Sequence, residues 1–234
     1  RQTGDYDAVF QLRRPRRGII DPRGDRVVHR GVIFVNNRSR LFHAPRSGPE
    51  LTDYLRRELP SYLATHPVAF VSSFSAAGYF YPHLRLADLT SNTQPQSYFF
   101  CGSPEEVVKS VINGVAEIGA CDEGVIEEVL GSGPEGLLDA KDSLVRVILE
   151  TSTIPTDPVA LRTRWHPRGG SVLGAEIRNG LRAFFERHPE LPRLVSSSRE
   201  RFEELQESLE RFHELGRERE LRTTGPPAAP VRTE

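Results

Sequence analysis

Residues 67–79 have the sequence P-V-A-F-V-S-S-F-S-A-A-G-Y, in which an apolar run leads into a loop of small and polar residues. The apolar part, Pro67–Ser72, is typical of a buried strand, and a helix is predicted over Tyr79–Leu86. Backbone N–H groups at the start of a helix that follows a strand favour an anion. Ser73–Gly78 is therefore the first candidate anion site, with a plain helix N-cap as the alternative interpretation.

Further apolar runs flank this stretch on both sides. Strands are predicted at Ala8–Leu12, Gly31–Val35, Ser97–Cys101, Glu117–Cys121 and Leu144–Glu150. Helical patterns at Pro49–Leu63 and Val125–Leu130 lie between them. Strands that alternate with helices form a parallel or mixed sheet covered on both faces, so the sequence predicts an α/β fold.

A second candidate loop is Gly102-Ser103. Ser103 can cap a helix that begins at Pro104 and ends at Asn113-Gly114, so a simple N-cap and a second anion-binding loop are both consistent with the pattern. Ligands of open α/β sheets bind beyond the carboxyl ends of the strands. The sequence places four segments at that edge. They are the two candidate loops, Cys121-Asp122 and Thr151-Ser152.

The composition of the 234-residue chain is ordinary for a soluble globular protein, with 37% hydrophobic and 27% charged residues. A formal net charge of -1 gives no indication of a nucleic-acid partner. Arginines crowd the N-terminal part, which is typical of a solvated basic loop or of a surface that binds an anion or a partner. Two cysteines, Cys101 and Cys121, do not form a disulfide framework.

No stretch approaches the roughly 20 apolar residues that a membrane-spanning helix needs, and we expect no membrane span in this chain. The sequence shows no signal peptide, begins at Arg1 and contains no Met. We therefore expect a processed chain or a piece of a longer one.

The patterns that carry catalysis or metal binding give little signal. The seven histidines form no H-x-x-x-H pair, and the sequence contains no G-x-S-x-G, C-x-x-C or P-loop pattern. We therefore predict no metal site, no cofactor and no enzymatic activity. In a weaker enzymatic alternative, the candidate acid or base residues are Glu117, Asp122 and Asp157.

The C-terminal third begins with a rigid turn at Ile154–Pro158. Helices are predicted at Gly174–His188 and Ser197–Leu215, and Ser197 and Glu200 have the spacing of a capping box at the second start. Residues 216–234 are predicted to be a disordered tail.

The order of these motifs resembles that of the phosphonate-binding periplasmic proteins of ABC transporters. The resemblance covers about residues 28–215. Its motifs are Ser75–Tyr79 with Pro82, Phe100–Pro104, the helix ending at Asn113-Gly114, Glu117–Ala120, and Ser152–Pro158 after a strand. Each motif is short, and the family identification depends on their shared order.

The resemblance implies a type II periplasmic-binding-protein fold, in which two α/β lobes joined by a hinge hold the ligand between them. In this chain the first lobe is expected to be incomplete. The implied division is a partial first-lobe segment with a hinge crossing (1–35), the second α/β lobe (36–150), a helical return segment to the first lobe (151–215) and the tail (216–234).

The resemblance also implies a set of ligand-binding residues: His29, Ser73, Ser75, Ala76, Ala77, Gly78, Tyr79, Ser103 and Asp157. The sequence departs from the family at three positions. The family has hydroxyl side chains where this chain has Ala76 and Ala77, and a histidine where it has Pro104. Several hydrogen bonds to a charged ligand, each worth roughly 1.5–3 kcal/mol, are thereby absent.

The function implied is that of a solute-binding domain for a small anion, phosphonate- or phosphate-like, in an ABC-type transport system. Its expected partners are that anionic solute and an ABC transporter permease or a signalling partner. The alternative is a degenerate, ligand-free sensory or protein-interaction module on the same fold. A periplasmic or extracellular location is implied by the resemblance alone.

Overall fold

The computed structural model of the chain describes residues 6–12, 28–132, 141–156, 158–162, 172–188, 194–196 and 203–223. The strands are β1 (Tyr6–Leu12), β2 (Val28–His29), β3 (Gly31–Asn36), β4 (Val68–Phe70), β5 (Tyr98–Phe100), β6 (Ile118–Asp122), β7 (Val145–Glu150), β8 (Ile154–Pro155), β9 (Pro158–Arg162) and β10 (Leu194–Ser196). The helices are α1 (Gly48–Thr65), α2 (Tyr81–Leu89), α3 (Pro104–Ile112), α4 (Val125–Gly131), α5 (Lys141–Leu144), α6 (Val172–Arg187) and α7 (Glu203–Thr223). A 3-10 turn at Arg40–His43 precedes α1, and a π-helical turn at Ala76–Phe80 leads into α2.

A five-stranded mixed sheet forms the centre of the molecule, in the order β5-β4-β6-β3-β7. Strand β4 pairs in parallel with β5 and β6, whereas β3 pairs antiparallel with β6 and β7. Every residue of β3 is buried. Helices cover both faces of the sheet, which explains why the interior strand β3 is a continuous apolar run rather than an alternating one.

The two faces of β3 pack in separate apolar clusters because successive side chains of a strand point to opposite faces. Ile33 and Val35 pack with apolar residues of α1 and α2. Val32 and Phe34 pack with apolar residues of α3 and α4. The predicted α/β fold with helices on both faces is therefore confirmed.

Two smaller sheets connect the beginning of the chain with its C-terminal third. Strand β1 pairs antiparallel with both β9 and β10 in a three-stranded sheet. Strand β2 pairs antiparallel with β8, with His29 opposite Ile154. The chain thus enters the large sheet after β2 and leaves it before β8, and these two segments pair with each other.

The strand predicted at Gly31–Val35 is confirmed as β3, which extends to Asn36. Two other features differ from the sequence predictions. The segment 151–215 is predicted to be helical, but it also contributes β9 and β10, which pair with β1. The tail is predicted to begin at 216, but α7 continues to Thr223. The division of the chain into lobes stays a prediction.

Candidate functional site

Several of the predicted site residues lie at one edge of the five-stranded sheet. Strands β4, β5 and β6 are parallel, so their carboxyl ends meet at the same edge. The antiparallel strand β3 begins there, since Gly31 lies opposite Asp122 at the end of β6. Strand β7 ends there as well, with Glu150 opposite Val32. This edge is where open α/β sheets bind ligands.

Hydrogen bonds fix the loop between β4 and α2, which we call the anion loop (residues 72–80). The backbone N–H of Ser75 donates to Ser72 O at 3.1 Å, and the N–H of Phe80 donates to Ser75 O at 3.0 Å. The N–H of Gly78 donates to the Ser75 hydroxyl at 3.0 Å, which caps the π-helical turn. The hydroxyl of Ser75 accepts in this bond, so its own proton is available to a ligand.

The first backbone N–H groups of a helical segment have no acceptor within it. At the start of the anion loop's helical turn these groups belong to Ala76 and Ala77. Ser73 is exposed and Ala77 is buried. The turn continues directly into α2, so the partial positive charge of a longer helix is directed to this point. The donors here are backbone groups and one hydroxyl, since residues 76 and 77 have none on their side chains.

Gly31, the first residue of β3, lies against the anion loop. A Cβ built on Gly31 would lie 2.3 Å from the carbonyl oxygen of Ala77. The backbone N–H of Gly31 donates to the Thr151 hydroxyl at 2.9 Å, and the N–H of Thr151 donates to Gly31 O at 2.9 Å. The anion loop is thereby seated on the two segments that lead into and out of the large sheet.

A cluster of aromatic rings supports the helical side of the anion loop. The ring of Tyr79 lies 5.1 Å from that of Phe70, 5.2 Å from Phe100 and 5.6 Å from Phe212 of α7, each in an edge-on geometry that such rings favour. Gly78 is held as closely, since an added Cβ would lie 2.2 Å from Val71 Cγ2. Packing therefore holds the loop in one conformation before any ligand is bound.

Ser103 has the geometry of a helix cap. Its hydroxyl accepts a hydrogen bond from the N–H of Glu106, and Pro104 occupies the first turn of α3. The pKa of the Glu105 carboxyl is lowered by hydrogen bonds from the backbone N–H of Glu105 itself and from the Ser103 hydroxyl. Two carboxylates in this turn already occupy the positive end of the helix, which disfavours a further anion there. The geometry of Ser103 therefore supports a capping role, and its role in ligand binding stays a prediction.

Of the remaining predicted residues, His29 lies in β2, where the chain enters the large sheet, and Asp157 lies outside the described part of the chain. His29 is buried, and its Nε2 lies 3.4 Å from Asp122 Oδ1. Arg30 forms an ion pair with Glu150 at 2.8 Å. The predicted capping box at Ser197 also lies outside the described residues. The structure therefore brings Ser75–Tyr79 and His29 to the same edge of the sheet.

Both cysteines are free thiols. Cys121 is buried, and burial together with the neighbouring Asp122 raises the pKa of its thiol well above the ordinary value. Within the described ranges, no group of three or more His, Cys, Asp or Glu side chains is arranged to hold a metal. The helices in those ranges also include none with the length and apolar character needed to cross a bilayer.

Sequence reasoning did not identify Gly31 as a site residue or the seating of the anion loop on it. Gly31 and Thr151 are separated by 120 positions, and no local pattern links them. The one available signal was the glycine at the start of an otherwise bulky apolar strand, a position that often marks the close approach of another backbone.

A mixed sheet with a candidate site at the carboxyl ends of its parallel strands, and antiparallel crossings to a second sheet, defines a binding protein of the type II periplasmic fold. A family model described as "ABC transporter, phosphonate, periplasmic substrate-binding protein" matches residues 19–209, which is more than half of the chain. The chain belongs to this family, whose members are substrate-binding proteins rather than enzymes. Among curated proteins, no match to the chain was found.

Solved structures agree on the fold. A binding protein component of an ABC phosphonate transporter from Pseudomonas aeruginosa has a TM-score of 0.58 and 16% identity, with 91% of this chain and 64% of that chain covered. A Prochlorococcus marinus protein in complex with methylphosphonate has a TM-score of 0.59 and 15% identity, with 91% of this chain and 73% of that chain covered. A Xanthomonas citri protein bound to ATP has a TM-score of 0.59 and 18% identity, with 91% of this chain and 74% of that chain covered.

The chain thus spans 64% of the length of the Pseudomonas aeruginosa protein. At these identities the likeness concerns the fold, and the predicted type II fold is confirmed by it. Which solute this chain binds is a separate matter that depends on the chemistry of its own anion loop.

Proposed function

We propose that this chain is part of the solute-binding component of an ABC-type uptake system and binds a small tetrahedral oxyanion, such as a phosphonate or phosphate, at the anion loop. The proposal includes a permease as its partner and a periplasmic location. Family membership supports this assignment, because the family consists of periplasmic substrate-binding proteins. The observation that carries it is the capped helical turn at Ala76–Phe80, at the ligand-binding edge of the sheet.

Three donors of the loop suit an oxyanion. The N–H groups of Ala76 and Ala77 lie at the start of the turn, and the Ser75 hydroxyl retains its proton while accepting from Gly78. Hydrogen bonds to an ionised group are about twice as strong as those between neutral partners. Because residues 76 and 77 add no hydroxyl, the loop supplies fewer side-chain donors than the family pattern, and we expect a modest affinity.

The anion loop also contacts the segments through which the chain enters and leaves the large sheet. Its carbonyl at Ala77 touches Gly31, and Gly31 exchanges two hydrogen bonds with Thr151. A ligand held at this loop therefore lies beside both segments that connect the large sheet with the rest of the chain. This arrangement favours a binding protein in which a ligand biases the angle between lobes.

Isothermal titration calorimetry of the full chain with methylphosphonate, inorganic phosphate, phosphite and sulfate tests the proposal. We expect saturable binding of at least one of them, weakened about tenfold or more by Ser75→Ala, because a hydrogen bond to a charged group is lost. Ser61→Ala is the matched control, since the Ser61 hydroxyl bonds only within α1. Binding that Ser75→Ala leaves unchanged would contradict the assignment of the loop.

The second candidate function is a ligand-free sensory or interaction module on the same fold. The alanines at 76 and 77 favour it, because they remove side-chain donors while leaving the packing of the loop intact. The same titration separates the two functions. Absence of heat with every oxyanion, from a chain whose cooperative unfolding shows that it is folded, would favour this second candidate.

A further inference from the structure

A concave surface lies between α2, the segment after β7, and α7. It forms an open cavity of about 490 Å³, within the usual range for small-ligand sites. The residues that line it are Tyr81, Leu84, Arg85, Asp88, Glu150, Thr151, Ser152, Glu207, Ser208 and Arg211. None of them belongs to residues 72–80, so the cavity is distinct from the proposed oxyanion site.

The walls of this cavity are held by contacts between α2 and α7. Arg211 of α7 forms an ion pair with Asp88 of α2. The side-chain amide of Gln94 donates to Leu215 O at 3.2 Å. Phe212 packs its ring 4.9 Å from that of Phe80. The cavity is therefore a feature of two docked helices rather than a gap between independent segments.

The charges that line the cavity are only partly compensated. Arg211 pairs with Asp88, and Glu150 pairs with Arg30. Arg85 and Glu207 form no ion pair with any residue that the structure describes. The Nε of Arg85 is buried and has no hydrogen-bond acceptor among those residues. One cation and one anion thus line the cavity without an ion-pair partner among the described residues.

The polar groups around this pair are small hydroxyls. Thr151, Ser152 and Ser208 line the same cavity, and the Ser208 hydroxyl donates a hydrogen bond to Glu204 O at 2.8 Å within α7. A guanidinium binds a carboxylate through two parallel hydrogen bonds, and a carboxylate such as that of Glu207 attracts an ammonium group. A molecule that carries both groups matches the two charges and leaves the existing ion pairs in place.

We propose that this cavity binds a small zwitterion of the amino-acid class, with its carboxylate on Arg85 and its ammonium group toward Glu207. The site is independent of the proposed oxyanion function. Because Thr151 also bonds Gly31, a molecule in the cavity contacts the segment on which the anion loop is seated.

The test is a thermal-shift screen of the full chain against the common amino acids, followed by calorimetry of those that raise the unfolding temperature. We expect Arg85→Gln and Glu207→Gln each to weaken binding by at least about tenfold. Arg56→Gln is the matched control, because Arg56 is an exposed arginine of α1, and it is expected to leave the affinity unchanged.

Two results would overturn the proposal: no amino acid binds the wild-type chain, or binding persists unchanged in both Arg85→Gln and Glu207→Gln. The oxyanion titration of the same variants keeps the two proposals separate. Arg85→Gln is expected to retain oxyanion binding, and loss of both activities in that variant would show that Arg85 acts on the anion loop instead. Glu207 is exposed on α7, so Glu207→Gln is expected to fold. This variant keeps the test valid if Arg85→Gln does not fold.

Discussion

Gly31 lies so close to Ala77 that a Cβ at residue 31 would come within 2.3 Å of the Ala77 carbonyl oxygen. Real Cβ atoms do not approach a backbone oxygen this closely, so Gly31→Ala must displace the anion loop, the strand or both. We expect a loss of about 1–3 kcal/mol in the free energy of unfolding, as for other overpacked positions, together with weaker oxyanion binding. Urea unfolding and calorimetry of the variant measure the two effects.

Gly180→Ala is the control for that substitution. Gly180 lies in α6 with nothing within 4 Å of an added Cβ, so alanine there is expected to be neutral or slightly stabilising. If Gly31→Ala is as stable as Gly180→Ala and binds oxyanions with wild-type affinity, the loop is not seated on Gly31.

Ser103→Ala tests the capping role of that hydroxyl. Removal of the acceptor for the Glu106 N–H is expected to lower the free energy of unfolding by about 1 kcal/mol. We expect oxyanion affinity to change less than about twofold, because the carboxylates of Glu105 and Glu106 occupy the same turn. A much larger loss of affinity with unchanged stability would show that Ser103 contacts the ligand.

The two thiols are expected to react at different rates in the native chain. Cys121 is buried with its pKa raised, whereas Cys101 is partly exposed, so a disulfide reagent is expected to modify Cys101 first. Because the pKa of Cys121 is higher in the folded state, its contribution to stability is present below pH 9.0 and declines as pH rises above that value. Urea unfolding of wild type and Cys121→Ala on both sides of that pH measures this decline, and faster modification of Cys121 than of Cys101 would contradict its burial.

Phe212→Ala tests the docking of α7 on α2. The ring packs against Tyr79, Phe80 and His83, so its removal is expected to lower stability by about 2 kcal/mol or more. Leu209→Ala on the same helix is the control, since Leu209 is an exposed apolar residue. Hydrogen exchange of α7 is expected to accelerate only in the Phe212 variant, and equal exchange in both would indicate that other contacts hold the helix.

Local rules predicted the elements whose ends depend on nearby residues. The start of α3 followed from Ser103 and Pro104, and the interior strand β3 from its unbroken apolar run. By contrast, β9 and β10 exist because they pair with β1, more than a hundred residues earlier in the chain, and their own sequences carry no strong strand pattern. Long-range pairing of this kind is invisible to local propensity.

The end of α7 and the start of α2 were also misplaced for physical reasons. Gly216 is a common helix terminator, yet α7 continues through it, since a glycine inside a helix costs only about 1 kcal/mol and Leu215 is buried beside it. The π-helical turn at Ala76–Phe80 has no sequence signature. It depends on the Ser75 cap and on the contact of Gly78 with Val71, both of which are properties of the folded loop.

The central claim is that a tetrahedral oxyanion binds at the anion loop, and amide chemical shifts measure this most directly. In a titration of the isotope-labelled full chain with methylphosphonate, we expect saturable shifts that are largest at the N–H groups of Ala76, Ala77 and Gly78, with smaller ones at Gly31. Saturable shifts centred elsewhere, or none at these amides at any ligand concentration, would contradict the account.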